Sequence, residues 1–187
     1  MRDERSYKTL SEIGIENKNV KVTADPALDL DIADEKLGKA ILKNEGVPSD
    51  KKLLGVSVRK WQNLGSDFET QIANACDYAY EKYGYYTVFL PMQSSRDTAI
   101  MQNIKRKMKH ESAIIKKRYS VEGMLSIIKC FDMCIGMRLH TLIYAAINSV
   151  PLIGLVYDPK INSFMEYTHQ RPVSYTHLRA HETSQDL

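Results

Sequence analysis

The chain has 187 residues, 43% of them hydrophobic and 26% charged, with 26 basic against 23 acidic side chains and a formal net charge of +3. That length suits one domain, with room for a small appendage, and the apolar fraction is enough to bury a core. So even a charge balance argues against nucleic acid or a membrane surface as the partner, and no apolar run approaches the roughly 20 residues of a transmembrane span.

The first ten residues are charged and lack a signal-peptide core. Cys76, Cys130 and Cys134 form no CxxC pair and no disulfide framework, so they read as small core residues in a reducing compartment. The cytoplasm is the expected location.

In chain order, the charged cluster RDERS (2–6) leads into a helix, where a doubly wound lobe would normally offer a strand. Residues 19–23 (NVKVT) are β-branched and predict a short strand. The near-continuous apolar run 53–58 (LLGVSV) predicts a strand covered on both faces. A helix is expected over 66–82, opened by a capping box of Ser66 with Glu69 and striped by Phe68, Ile72, Ala75, Cys76 and Ala79. Residues 86–90 (YTVFL) form the next expected strand, ended by Pro91. Ser94 with Asp97 is a second capping box, opening a helix to about Lys109.

Further along, a short strand is expected at 113–115 and a helix from the Ser120 cap to about Lys129. A strand at 131–136 (FDMCIG), a helix at 138–147 and a strand at 151–156 (PLIGLV) follow. Asp158 as N-cap and Pro159 at the first helical position open the last helix. Such alternation means an α/β lobe: a Rossmann-like parallel sheet with helices on both faces. Leu54, Val56, Val88, Leu90, Ile135, Ile153 and Leu155 are the expected strand core.

The tail 172–187 (PVSYTHLRAHETSQDL) breaks this pattern and closely resembles a translated sequencing-adapter read-through, so it is set apart as non-native. His177 and His181 fall at i, i+4, a metal-ligand spacing on a helix, but inside that segment. No metal site is expected.

Open α/β sheets bind ligands at the carboxyl ends of their strands, where helix N-termini present free N–H groups to anions. The turns there carry Arg59 and Trp61, then Met92 and Gln93, then Arg138 and His140, then Tyr157, Asp158 and Lys160. In 136–151 (GMRLHTLIYAAINSVP), Leu139, Leu142, Ile143, Ala146 and Ile147 form the buried stripe, and Arg138 and His140 lie off it. A guanidinium grips a carboxylate or phosphate through two parallel hydrogen bonds, and a histidine carries a proton near neutral pH. The other reading pairs Arg138 with a core carboxylate and makes His140 structural; the residues leave both open. Lys160 opposes the dipole of its own helix, which suggests either a compensating anion or an ordinary exposed lysine. Trp61 has two readings, stacking on a sugar or packing. The cluster Lys105, Arg106, Lys107, Lys109, Lys116, Lys117 and Arg118 reads as a solvated face before it reads as a contact for an anionic polymer.

The ordered series RDERS, ADP (24–26), PMQSSRD (91–97), YSVEGMLSIIKCFDMCIGMRLH (119–140) and GLVYDPKI (154–161) resembles the polysaccharide pyruvyl transferase family over about residues 2–167. That family's fold is like the two-lobed GT-B glycosyltransferases. The resemblance implies that residues 1–171 are the C-terminal, phosphoenolpyruvate-binding lobe, with the N-terminal lobe missing. It implies transfer of pyruvate from phosphoenolpyruvate to a sugar, as a ketal, in the making of a cell-envelope or exopolysaccharide. Arg2, His140 and Lys160 are the implied functional set, with Arg138 beside them: His140 as acid or base, the three cations on the donor. No cofactor is implied beyond the donor substrate. The acceptor is a sugar or a lipid-linked oligosaccharide, which would place the protein in the cytoplasm or peripherally at the membrane. Two other functions remain open: the sugar-nucleotide-binding half of a GT-B glycosyltransferase, and a non-catalytic anion-binding fragment.

Overall fold

The structure, a computed structural model, describes residues 4–62, 64–170 and 172–174. Six strands, β1 (Lys52–Ser57), β2 (Tyr85–Phe89), β3 (Ser112–Ile114), β4 (Met133–Gly136), β5 (Leu152–Val156) and β6 (Val173–Ser174), stand in the order β3-β2-β1-β4-β5-β6. Every neighbouring pair is parallel. The helices are α1 (Glu4–Glu12), α2 (Glu35–Asn44), α3 (Phe68–Tyr83), α4 (Ser94–Lys107), α5 (Val121–Lys129), α6 (Leu139–Ile147) and α7 (Pro159–Tyr167), with a 3₁₀ turn at Pro26–Asp29. The expected Rossmann-like architecture is therefore the observed one.

Parallel strands need both faces covered, and β1 shows how the sequence achieves it. Leu53 points into a core shared with α2, α5, α6 and α7, while Leu54 and Val56 point into a second core shared with α3 and α4. Gly84 ends α3 in the left-handed region, at φ 73°, so β2 starts one residue later.

Leu54, Val56, Val88, Leu90 and Leu155 are buried as expected, but Ile135 and Ile153 are only half-buried. The reason is an uneven second layer. α3 lies on β2 and α4 on β3, whereas β4 and β5 are held by α6 and α7 from the opposite face.

Other expectations need correction. Residues 19–23 form no strand; β-branching alone does not bring a segment to a sheet edge. α2 has no counterpart in the sequence reading, because its apolar stripe is short and interrupted by Gly38. Asp34 caps it, accepting from the Lys36 N–H at 2.8 Å, and Ile41 and Leu42 bury against α5. The Ser66 box does not form: α3 opens after Asp67, and Glu69 instead accepts from Asn103 at 3.1 Å. In α4 the cap is Gln93, whose N–H donates to Asp97 Oδ2 at 2.9 Å. Ser120 and Asp158 cap their helices as expected. Val173–Ser174, within the segment set apart as non-native, pairs with β5; His177 and His181 lie outside the described residues.

Candidate functional site at the carboxyl edge of the sheet

In this strand order β1 has β2 on one side and β4 on the other, so the chain's direction of travel across the sheet reverses there. A crevice opens at such a switch point beyond the carboxyl ends. Ser57 and Gly136 are register partners, and two residues beyond each stands an arginine, Arg59 and Arg138. The Met137 N–H donates to the Ser57 carbonyl at 2.8 Å, so the pairing runs into the turn.

Gly136 lets α6 sit close on β4. A Cβ there would lie 2.8 Å from Leu142 Cδ2, and Leu142 is fully buried. This close seat brings the first turn of α6, with Arg138 as N-cap and His140, to the strand end. α7 follows β5 directly, and Asp158 Oδ1 accepts from the Lys160 N–H at 2.9 Å, fixing the first turn that carries Lys160.

One cavity of about 480 Å³ is lined by Arg59, Met92, Gln93, Arg138, Leu139, His140, Tyr144, Tyr157 and Lys160. Arg138, His140 and Lys160 thus share one edge of the sheet. Arg2 lies outside the described residues. A contiguous cavity of about 550 Å³, which shares Arg59 and Arg138, adds Lys60, Trp61, Gln62, Arg96 and Asp97. A third, of about 340 Å³ and mostly apolar, shares Leu139 and Lys160; it is walled by Arg5, Ala24, Asp25, Leu28, Ile143 and Phe164, among others.

The electrostatics are less simple than the residue types suggest. Arg138 donates from Nε to Asp97 Oδ2 at 3.1 Å, from Nη2 to Asp97 Oδ1, and from Nη2 to Gln93 Oε1 at 3.2 Å. The Asp97 side chain is 0% exposed and that of Arg138 16%. Pairing with a core carboxylate is therefore real, and among the described residues it leaves Nη1 as the arginine's uncommitted nitrogen. Lys160 Nζ lies 3.4 Å from Asp158 Oδ2, so the aspartate that caps α7 also compensates the lysine. His140 is exposed, with the Tyr144 ring 6.1 Å away between centroids, and its side chain makes no hydrogen bond among the described residues.

The residue that sequence reasoning placed at this edge but assigned no role is Arg59. Its Nη1 reaches the Tyr157 hydroxyl at 3.4 Å, and its guanidinium carbon sits 5.3 Å from the Trp61 ring centre and 5.7 Å from that of Tyr157. Trp61 and Tyr157 themselves meet edge to face at 4.8 Å. Trp61 is thus occupied with Arg59 and Tyr157. Position one residue beyond an apolar strand run was the available signal, and it was too general to single Arg59 out.

None of the three cysteines lines these cavities, and burial pushes the thiols of Cys76 and Cys134 up to about 12 and that of Cys130 up to about 11. Among the described residues no cluster of His, Cys, Asp or Glu is placed to hold a metal ion, and no helix is long and apolar enough to cross a membrane.

The family model for polysaccharide pyruvyl transferase matches residues 1–159. The chain belongs to this family. None of the curated proteins compared with it matches. Its fold is similar to that of S. aureus MnaA, solved with UDP, at 14% identity and a TM-score of 0.69 over 100% of this chain and 51% of that one. It is also similar to a family 9 glycosyl transferase from Veillonella parvula, at 12% identity and a TM-score of 0.61 over 96% and 51%. A third similar structure is the Methanocaldococcus jannaschii UDP-GlcNAc 2-epimerase, solved with UDP-GlcNAc and UDP, at 15% identity and a TM-score of 0.60 over 82% and 43%. The chain spans about half the length of these structures. In this pyruvyl transferase family member, the GMRLH, YDPK and PMQSSRD blocks meet at one edge, and the ADP block joins them through the apolar cavity that shares Lys160.

Proposed function

We propose that this lobe binds phosphoenolpyruvate at its carboxyl edge and serves pyruvyl transfer to a sugar of a cell-envelope or exopolysaccharide. The observation that carries the reading is that Arg138 and His140 of the GMRLH block and Lys160 of the YDPK block line one cavity. Phosphoenolpyruvate presents a carboxylate and a phosphate, which fixed cations and helix N-termini hold. Arg138 Nη1 and Lys160 Nζ are the groups offered.

In the reaction, a proton adds to the methylene carbon of the donor, and positive charge develops at the adjacent carbon. A sugar hydroxyl oxygen bonds to that carbon and gives up its proton, which balances the one consumed. The carbon–oxygen bond to phosphate then breaks. A second hydroxyl adds to the same carbon, its proton leaves with the phosphate, and the ketal is closed. His140, exposed in the cavity and without a fixed partner among the described residues, is suited to deliver the first proton and accept the second. A sugar or lipid-linked oligosaccharide is the acceptor in this reading.

The competing reading puts a sugar nucleotide on the same lobe. It asks for a carboxylate to grip the ribose, and Asp158 is already engaged with Lys160 through both oxygens. Titration calorimetry with phosphoenolpyruvate and with UDP separates the two. Binding of phosphoenolpyruvate alone supports pyruvyl transfer, and binding of UDP alone overturns it. Transfer itself is measured in a two-lobed chimera, with this chain joined to the first lobe of a family member.

A further inference from the structure

We propose that Arg59 is the principal anion-binding residue of this site, gripping the phosphate or carboxylate of the donor. The assignment rests on the donor-binding reading above and deepens it. Its starting point is charge. Arg138 is neutralised by the buried Asp97 and Lys160 by Asp158, so neither pair brings net positive charge to an incoming anion. Arg59 differs: it has no acidic partner among the described residues.

Its side chain is oriented all the same. Trp61 and Tyr157 hold the guanidinium against their rings, and the Tyr157 hydroxyl accepts from Nη1. An aromatic face orients a cation through its quadrupole without cancelling the charge, which a carboxylate would do. The arrangement fixes Arg59 with no carboxylate among the described residues to offset its charge. Arg59 Nε is in addition buried with no hydrogen-bond partner. An unmet buried donor is costly unless a ligand or water accepts from it, and Nε together with Nη2 is the edge that takes a carboxylate or phosphate two-handed. Location agrees: Arg59 stands at the carboxyl end of β1, beside the switch point, and lines both cavities that contain Arg138.

The test is titration calorimetry of the whole chain with phosphoenolpyruvate, inorganic phosphate and UDP, on wild type, Arg59→Gln and Arg59→Lys. Thermal melts by circular dichroism accompany it. The expected result is about a tenfold to hundredfold loss of phosphoenolpyruvate affinity in Arg59→Gln, the size of a lost charge-assisted bond, with partial recovery in Arg59→Lys. Melting temperatures of Arg59→Lys and wild type should agree. Wild-type affinity in Arg59→Gln overturns the assignment, and so does a wild type that binds none of the three at millimolar concentration. If wild type takes UDP and refuses phosphoenolpyruvate, the pyruvyl reading falls by itself. The role of Arg59 then stands if Arg59→Gln loses UDP, and falls if it does not.

Discussion

Arg138 and Asp97 are joined by two hydrogen bonds across 41 positions of sequence, and the aspartate is completely buried. The same carboxylate accepts from the Gln93 N–H at the cap of α4, so one side chain ties the first turn of α4 to the first turn of α6. Breaking a buried pair leaves a stranded charge, and the loss is about 3–5 kcal/mol. Arg138→Gln should therefore lower stability severely in urea unfolding. Asp97→Asn combined with Arg138→Gln should lose less than the sum of the single variants, by about 1 kcal/mol or more. Additive losses would mean that the two residues act independently.

Gly136→Ala tests the seat of α6 on β4. The added methyl would lie 2.8 Å from Cδ2 of the fully buried Leu142, so that side chain or the helix has to shift. Overpacking of this kind costs about 1–3 kcal/mol. The urea midpoint should fall by the corresponding amount, and phosphoenolpyruvate binding should weaken because Arg138 and His140 shift with the helix. An unchanged midpoint would show that α6 is not seated as tightly as the geometry requires.

Asp158→Asn separates capping from charge. Asparagine caps a helix as well as aspartate does, so stability should stay within about 0.5 kcal/mol. Lys160 loses its compensating carboxylate and gains net charge for an anion. Phosphoenolpyruvate should bind about fivefold tighter, the effect of roughly 1 kcal/mol between unit charges at 4 Å in water. Weaker binding in a calorimetric titration would count against Lys160 facing the donor.

His140→Ala should reduce pyruvyl transfer by about 10²–10⁴, the usual contribution of a general acid or base. The side chain is exposed, so the melting temperature should barely move. Retained turnover in the two-lobed chimera would remove His140 from the chemistry.

Glu45 should make stability depend on pH in the acid range. Burial raises the pKa of this carboxyl, but hydrogen bonds from the Lys116 N–H, the Tyr119 hydroxyl and the Lys117 N–H outweigh it and hold the group below its ordinary value. Burial and the same glutamate push the Tyr119 hydroxyl up to about 12. A carboxylate with a depressed folded pKa stabilises the protein above its unfolded pKa, about 4.3, and that stability is lost as pH falls through the lower folded value. Wild type should exceed Glu45→Gln in stability at neutral pH, and the gap should close below about pH 4. A gap that persists in urea titrations at acid pH would assign the difference to shape rather than charge.

Alternation of apolar runs with capped helical stripes determined the architecture from the sequence alone. LLGVSV has to be covered on both faces, and Ser120 and Asp158 cap α5 and α7 where the sequence puts them. Local pattern also placed Arg59, Arg138, His140 and Lys160 just beyond strand ends, which in a parallel sheet means one edge. It did not decide what the charges do there. Whether Arg138 is free or neutralised depends on Asp97, a residue that reads as half of a capping box until α4 and α6 are brought side by side. Likewise, Trp61 and Tyr157 lie far apart in sequence, and only the juxtaposition of the turns after β1 and β5 closes them around Arg59. Periodicity records which face of an element is buried, because burial is a local constraint on side-chain type. Pairing between turns is set by strand order and register, and those are properties of the assembled sheet.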